Sequence, residues 1–539
     1  MILEKEKFEF LQYLYKSLKK HDVEILKHFN DSSISDNDYF FYGINSDIIS
    51  NTLNVLTNYL SGNIESAGVD ASCRTIIEAM VILLMDAKGK ITDKQKTIYR
   101  YLYAYVDFDN FHSLLKDKDK ENEGIKRVAA DKEKAQQAMM EHFDCTAKDL
   151  KDRKIGIDDP CFYLKSSLRE DIRFSKLLEI YPIHDEKTIR MYEFFSMFIH
   201  PRCEMNPKIE EAIMSVRNIY VDGVLNFVYE YLKDCKLLID LEEEKDISDF
   251  NYDFFYNPLL QNNVHNIKDV EYIFNNLMDQ LCKLKDGTDW FTWHFLEKSK
   301  YIFIDMMISE SIGYKEHVIS CFKSFVEQYS VFYAIGSFED LNDFNHVKQA
   351  FWCSSRIQID SHFQNLGWKD GTVPEEEIKE LYDKYFKDKY KLNNYQKFYW
   401  NLRRNSLYCL GDEKKSYNKY VRSLLESVFS NEMESKDAMT LYRISKDMSH
   451  ASGYNFNASE GIVDSYFHKT MLFAWKFLKH FIVNASETLK EHNEECNVGF
   501  IITALDMFIM IEEKAICDVY SDIEKIAEGV DGEYGNKVN

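Results

Sequence analysis

Turn-forming residues are scarce in this chain, with only 19 Gly and 6 Pro in 539 positions. A β-rich or Rossmann-type protein needs such residues at many tight turns and phosphate loops, so their scarcity points to long helices. Long apolar runs are missing too, and none approaches the roughly 18 residues that cross a bilayer. The opening stretch carries Glu4, Glu6 and Glu9 where a secretory signal needs a basic end and an apolar segment. A cytoplasmic location without a membrane partner is therefore expected. The 11 Cys contain no CxxC pair, so neither a disulfide framework nor a cysteine zinc site is indicated. His200 and Cys203 have a ligand-like gap, but a structural zinc site needs about four ligands and no second pair is nearby. The GxxxxGK[ST], GxGxxG, GxSxG and HExxH signatures are absent as well. No metal or cofactor is expected. The formal charge of −23 disfavours loose adhesion to polyanions, although a local basic surface can overcome it.

What the chain does have is material for helical cores. Its hydrophobic fraction is 45%, with 38 Phe and 35 Tyr, and its length exceeds what one core usually serves. The fold class expected is all-α, with two related multi-helix bundle domains in tandem, able to pack as a pseudo-twofold pair. The N-terminal helical domain covers residues 1–240, an acidic linker 241–265 and the C-terminal helical domain 266–490, with a last helix and polar tail over 491–539. Apolar residues at helical spacing, such as Ile48, Leu53, Leu56 and Leu60 followed by Ile76, Ile77, Met80 and Leu83, predict a helical hairpin broken near Gly62. Helices are also expected near 160–180, 186–200 and 207–234. In the second half they are expected at 266–284, 288–310, 314–336, 340–365, 374–390, 394–410, 415–429, 435–450, 463–485 and 498–515. The charged stretch 116–137 reads as a solvated helix or connection.

Two short patterns recur in the same order. ASCRTIIE places Arg74 four residues before Glu78, and CSSRIQID places Arg356 four before Asp360; at helical pitch each pair shares a face. Downstream, Tyr192 precedes His200 by eight residues with Ser196 between them, and Tyr442 precedes His450 by eight with Ser445 between them. Duplication accounts for the ordered recurrence. Each Arg and acid also reads as a hydrogen-bonded pair tying down a neighbouring helix, and His200, set among Phe and Met, as a satisfied core residue.

On these residues, each half resembles an uncharacterised family of bacterial helical proteins that carry Arg-x3-Glu early and Tyr, Ser and His late. More distantly, the second half resembles the HEPN superfamily, whose pattern is an Arg followed after four to six residues by a His on one helix. Arg443 and His450 enclose six residues, with Lys446 and Asp447 on the same stripe. The resemblance implies metal-independent RNA cleavage in bacterial stress or phage defence. His450 would be general acid or base, Arg443 and Lys446 would stabilise charge on the phosphate, and Asp447 would orient a partner. The first half lacks the motif, because Arg190 lies ten positions before His200.

An independent feature is the stretch 384–422, with eleven basic residues against three acidic ones in a chain of charge −23. Lys397, Arg403, Arg404, Lys414, Lys415 and Lys419, interleaved with Trp400 and several Tyr, suit phosphate contacts and base stacking on RNA. The same pattern suits an amphipathic helix with its charge outward and its rings inward. The sequence thus leaves two functions open, an RNA-directed endoribonuclease and a non-catalytic helical scaffold or protein-interaction module. Self-association is compatible with either.

Overall fold

The computed structural model describes residues 35–87, 186–200, 207–234, 267–282, 290–311, 314–336, 341–365, 375–387, 394–404, 417–429, 431–448, 460–492 and 498–528, with scattered positions in 10–20, 89–96 and 133–148 and residue 409. The protein is all-α, and no strand occurs among the described residues. The linker 241–265 and the helix expected over 160–180 lie outside them, as does most of the stretch 116–137.

The first hairpin is α1 (Asp36–Leu60) and α2 (Ala67–Ala87). Ser35 caps α1 by accepting the Asp38 N–H at 3.1 Å, beside acidic residues that complement the positive helix end. The helix stops where Gly62 takes a φ of +76°, which a side chain would disfavour. The Gly62 and Asn63 N–H groups then return to the carbonyls of Tyr59 and Asn58, forming a Schellman motif at the break. After it come α3 (Glu186–Phe198), α4 (Pro207–Asp234) and α5 (Ile267–Cys282).

A second hairpin joins α6 (Trp290–Ser311) to α7 (Lys315–Gly336). It is followed by α8 (Leu341–Asn365) and α9 (Glu375–Leu381), which runs into a π-helical turn over Tyr382–Phe386. Then come α10 (Tyr395–Arg404), α11 (Tyr417–Val428), α12 (Glu432–Met448), α13 (Glu460–His492) and α14 (Gly499–Glu528). The last of these is longer than its apolar pattern suggested. No helix among the described residues is long and apolar enough to cross a membrane.

One hydrophobic core runs through both hairpins and through α3, α4, α12 and α13. The two hairpins pack directly on each other, α6 and α7 against α1 and α2. A smaller second core gathers under α8, α9 and α10 around Phe351, Tyr382, Phe386 and Phe398. The Arg217 guanidinium on α4 ties α3 down: it grips Asp70 of α2 with two hydrogen bonds of 3.1 and 3.0 Å and lies 4.9 Å from the Phe198 ring. A buried bidentate pair of this kind fixes orientation as well as distance, and it sets where the C-terminal end of α3 delivers the chain.

Candidate functional site

His200 sits just past that end of α3. The chain reads Phe198-Ile199-His200-Pro201, and a proline disfavours continuing the helix into it. The imidazole retains 34% side-chain exposure, while its Nδ1 lies 3.0 Å from Glu327 Oε2 on α7. Its face stacks on Tyr417 of α11 at 5.3 Å, nearly parallel. Glu327 is buried and accepts a second hydrogen bond, 3.0 Å, from the Tyr442 hydroxyl of α12.

Burial alone would raise the Glu327 carboxyl. Nearby Lys323 and the hydrogen bonds from His200 and Tyr442 outweigh it and hold the group below the ordinary carboxylate range. Lys323, one turn earlier on α7, is pushed down to about 8 by burial and by the positive charges of Arg74 and Lys446, with Glu327 opposing. The site is therefore a partly open imidazole backed by an ionised buried carboxylate, with three cations nearby. Neither Lys323 nor Glu327 was singled out from the sequence.

The first half repeats the arrangement. Tyr192 on α3 donates to Glu78 on α2 at 3.0 Å, and Arg74 lies one turn before Glu78 with Nε 3.8 Å from its carboxylate. Tyr192 and Glu78 are 114 positions apart, Tyr442 and Glu327 are 115. Lys323 and Glu327 are likewise one turn apart, and Tyr442 bonds to Glu327, not to Asp360. Arg356 and Asp360 form their own pair on α8, 2.9 Å apart. Arg-Thr-Ile-Ile-Glu at 74–78 and Lys-Ser-Phe-Val-Glu at 323–327 match in type at every position, a likeness that the Arg-x3-acid spacing does not capture.

Arg443 and Lys446 are exposed on α12, and the charge of Lys446 reaches Lys323. Arg443 lines a groove of about 650 Å³ between α11 and α12, shared with Arg422, Glu426, Glu432 and Lys436. Asp447 lies in α12 but its side chain is not among the described ones, and His450 lies outside the described residues. Ser445 Oγ donates to its own helix at Tyr442 O, 2.8 Å away, and the Ser196 hydroxyl is buried without a hydrogen-bond partner among the described residues.

In the basic stretch, Lys397, Trp400 and Arg403 project outward from α10 while Phe398 and Leu402 enter the second core. Trp400 stays 52% exposed, with the Arg403 guanidinium 5.0 Å from its ring. Lys419 is exposed on α11. Arg404 lies in α10 but its side chain is not described, and Lys414 and Lys415 lie outside the described residues. If this strip carries RNA, the double variant Lys397→Glu/Arg403→Glu should weaken RNA binding and flatten its salt dependence, because fewer counterions are released; fluorescence anisotropy across a salt series measures both. Among protein-family models, curated proteins and solved structures, none matches this chain.

Proposed function

We propose that this chain is a cytoplasmic, HEPN-like endoribonuclease that cleaves RNA without a metal in the reaction, with a role in bacterial stress or phage defence. The observation that carries the reading is the His200–Glu327 dyad, a half-exposed imidazole on a buried ionised carboxylate beside Lys323, Arg74 and Lys446. Glu327 orients the ring and stabilises the imidazolium, as a buried carboxylate does for a general base. His200 would take the ribose 2′-hydroxyl proton through Nε2. The 2′-oxygen then bonds to phosphorus as the bond to the 5′-oxygen breaks, and His450 is the residue assigned to protonate that leaving oxygen. Exposed Lys446 and Arg443 meet the charge that develops on the phosphate, while buried Lys323 and Arg74 set the potential behind the dyad.

The reacting centre then lies where the His200 end of α3 meets α7. The full chain incubated with total RNA, with no divalent cation added, should yield fragments ending in cyclic phosphate; no cleavage by the intact protein overturns the proposal. Because Lys323 loses its proton as pH rises through about 8, kcat/KM should fall on the alkaline side of that value. Lys323→Arg, which keeps its charge and copies the residue at position 74, should carry the activity to higher pH in a pH–rate series.

A scaffold reading has its own support. The Arg74–Glu78 pair is sealed, with side-chain exposures of 6% and 0%, and α14 presents Phe500, Met507 and Met510 to solvent, an apolar stripe suited to a protein partner or a second copy.

A further inference from the structure

Between the hairpins lies a second polar cluster. We propose that Asp305, His317 and Cys321 bind one zinc ion beside the junction of the two hairpins. Asp305 comes from α6, and His317 and Cys321, one turn apart, from α7. All three are buried, and their donor atoms lie within 4.8 Å of one another.

The two separations from His317 Nε2 approach tetrahedral edges, and Cys321 Sγ faces the second Asp305 oxygen. His317 Nε2 is 3.3 Å from Asp305 Oδ1 and 3.3 Å from Cys321 Sγ, and Sγ is 3.6 Å from Asp305 Oδ2. With zinc bonds of about 2.0–2.1 Å to nitrogen or oxygen and 2.3 Å to sulfur, the edges of a tetrahedron come to roughly 3.3–3.6 Å. A mixed sulfur, nitrogen and oxygen set at these spacings suits zinc over magnesium or calcium, which take oxygen ligands. One thiolate and one carboxylate also neutralise a divalent ion, so the buried site carries no net charge.

Hydrogen bonding without an ion leaves Nε2 over-subscribed. A neutral ring nitrogen carries one proton or one lone pair, yet Asp305, Cys321 and the Asn54 amide, 2.7 Å away, all converge on it. The Asn54 N–H needs the lone pair, and the Asp305 carboxylate needs the proton. A cation at the centre resolves the conflict for the three ligands. Asn54, whose amide oxygen accepts from Ser309 Oγ at 2.8 Å and Asn58 Nδ2 at 3.1 Å, then packs against the ligands from the first hairpin.

The surroundings have the form of an outer shell. The other ring nitrogen, Nδ1, is met by Ser72 Oγ at 3.3 Å and Ser320 Oγ at 3.4 Å. Asp305 accepts from Asn58 Nδ2 at 2.8 Å and Ser66 Oγ at 2.6 Å, contacts that orient ligands and tune metal affinity. Gly68 leaves the space required, since a Cβ there would stand 2.1 Å from Asp305 Oδ2 and 2.6 Å from Cys321 Sγ. Asn54, Asn58, Ser66 and Ser72 come from the first hairpin and the ligands from the second, so loading the site would raise the stability of their junction.

The test needs no RNA. The full chain, stripped of metal, is titrated with cobalt(II) and then zinc while absorption and Tm are followed. The expected result is one cobalt per chain with a thiolate charge-transfer band, displacement by zinc and a higher Tm. Cys321→Ser should lose the band, and exposed Cys517→Ser should keep it. Ser72→Ala, which spares every ligand, should weaken zinc binding about 10–100-fold. No band in the native chain, a band that survives Cys321→Ser, or unchanged affinity in Ser72→Ala overturns the proposal.

Discussion

His200→Gln is expected to lower the rate of RNA cleavage by about 10²–10⁴-fold, the span associated with a positioned general base, while moving Tm little. The ring is 34% exposed, and a glutamine there can still donate to Glu327. Glu327 also keeps Lys323 and the Tyr442 hydroxyl when the imidazole is lost, so no buried charge is left alone. Initial cleavage rates and thermal melts on the same preparation separate the outcomes. A folded, inactive variant supports the dyad. A variant that unfolds makes His200 architectural and favours the scaffold, and one that cleaves normally removes the dyad from the reaction.

The largest loss of stability is expected at the junction between the hairpins. Asp305→Ala would remove a fully buried carboxylate that accepts from Asn58 and Ser66 and pairs with His317, a change costing about 3–5 kcal/mol in comparable buried pairs. Gly68→Ala attacks the same place by adding one carbon. Its Cβ would fall 2.1 Å from Asp305 Oδ2, and α2 cannot back away without opening its contact with α6 and α7. Overpacking usually costs about 1–3 kcal/mol. Urea unfolding of the metal-free chain should show both midpoints well below the parent's; a parental midpoint for either would mean that this layer does not hold the halves together.

The helices were legible because their signal is local. The break at Gly62 and the spans of α4, α7 and α8 follow the apolar spacing within a residue or two. The Tyr192 and Tyr442 pattern was legible too, and both tyrosines do reach buried carboxylates. Their partners were harder to read. Arg356/Asp360 repeats the Arg-x3-acid spacing of Arg74/Glu78, and Lys323/Glu327 has the same spacing of cation and carboxylate. Single-letter identity discriminates poorly where Lys and Arg can both sit beside a carboxylate on one helical face.

Composition and periodicity alone determined that this chain is helical and where most of its described helices run. Only the tertiary structure decided that His200 meets Glu327 across 127 positions and that His317 of the second hairpin is inserted beside Asn54 of the first, 263 positions away. Helical order arises from hydrogen bonds between residues four apart, so it is written in any short window. Contacts between distant helices depend on how side-chain ridges interlock and on how far Arg217 and the glycines let the rods approach, and no window of sequence carries that geometry.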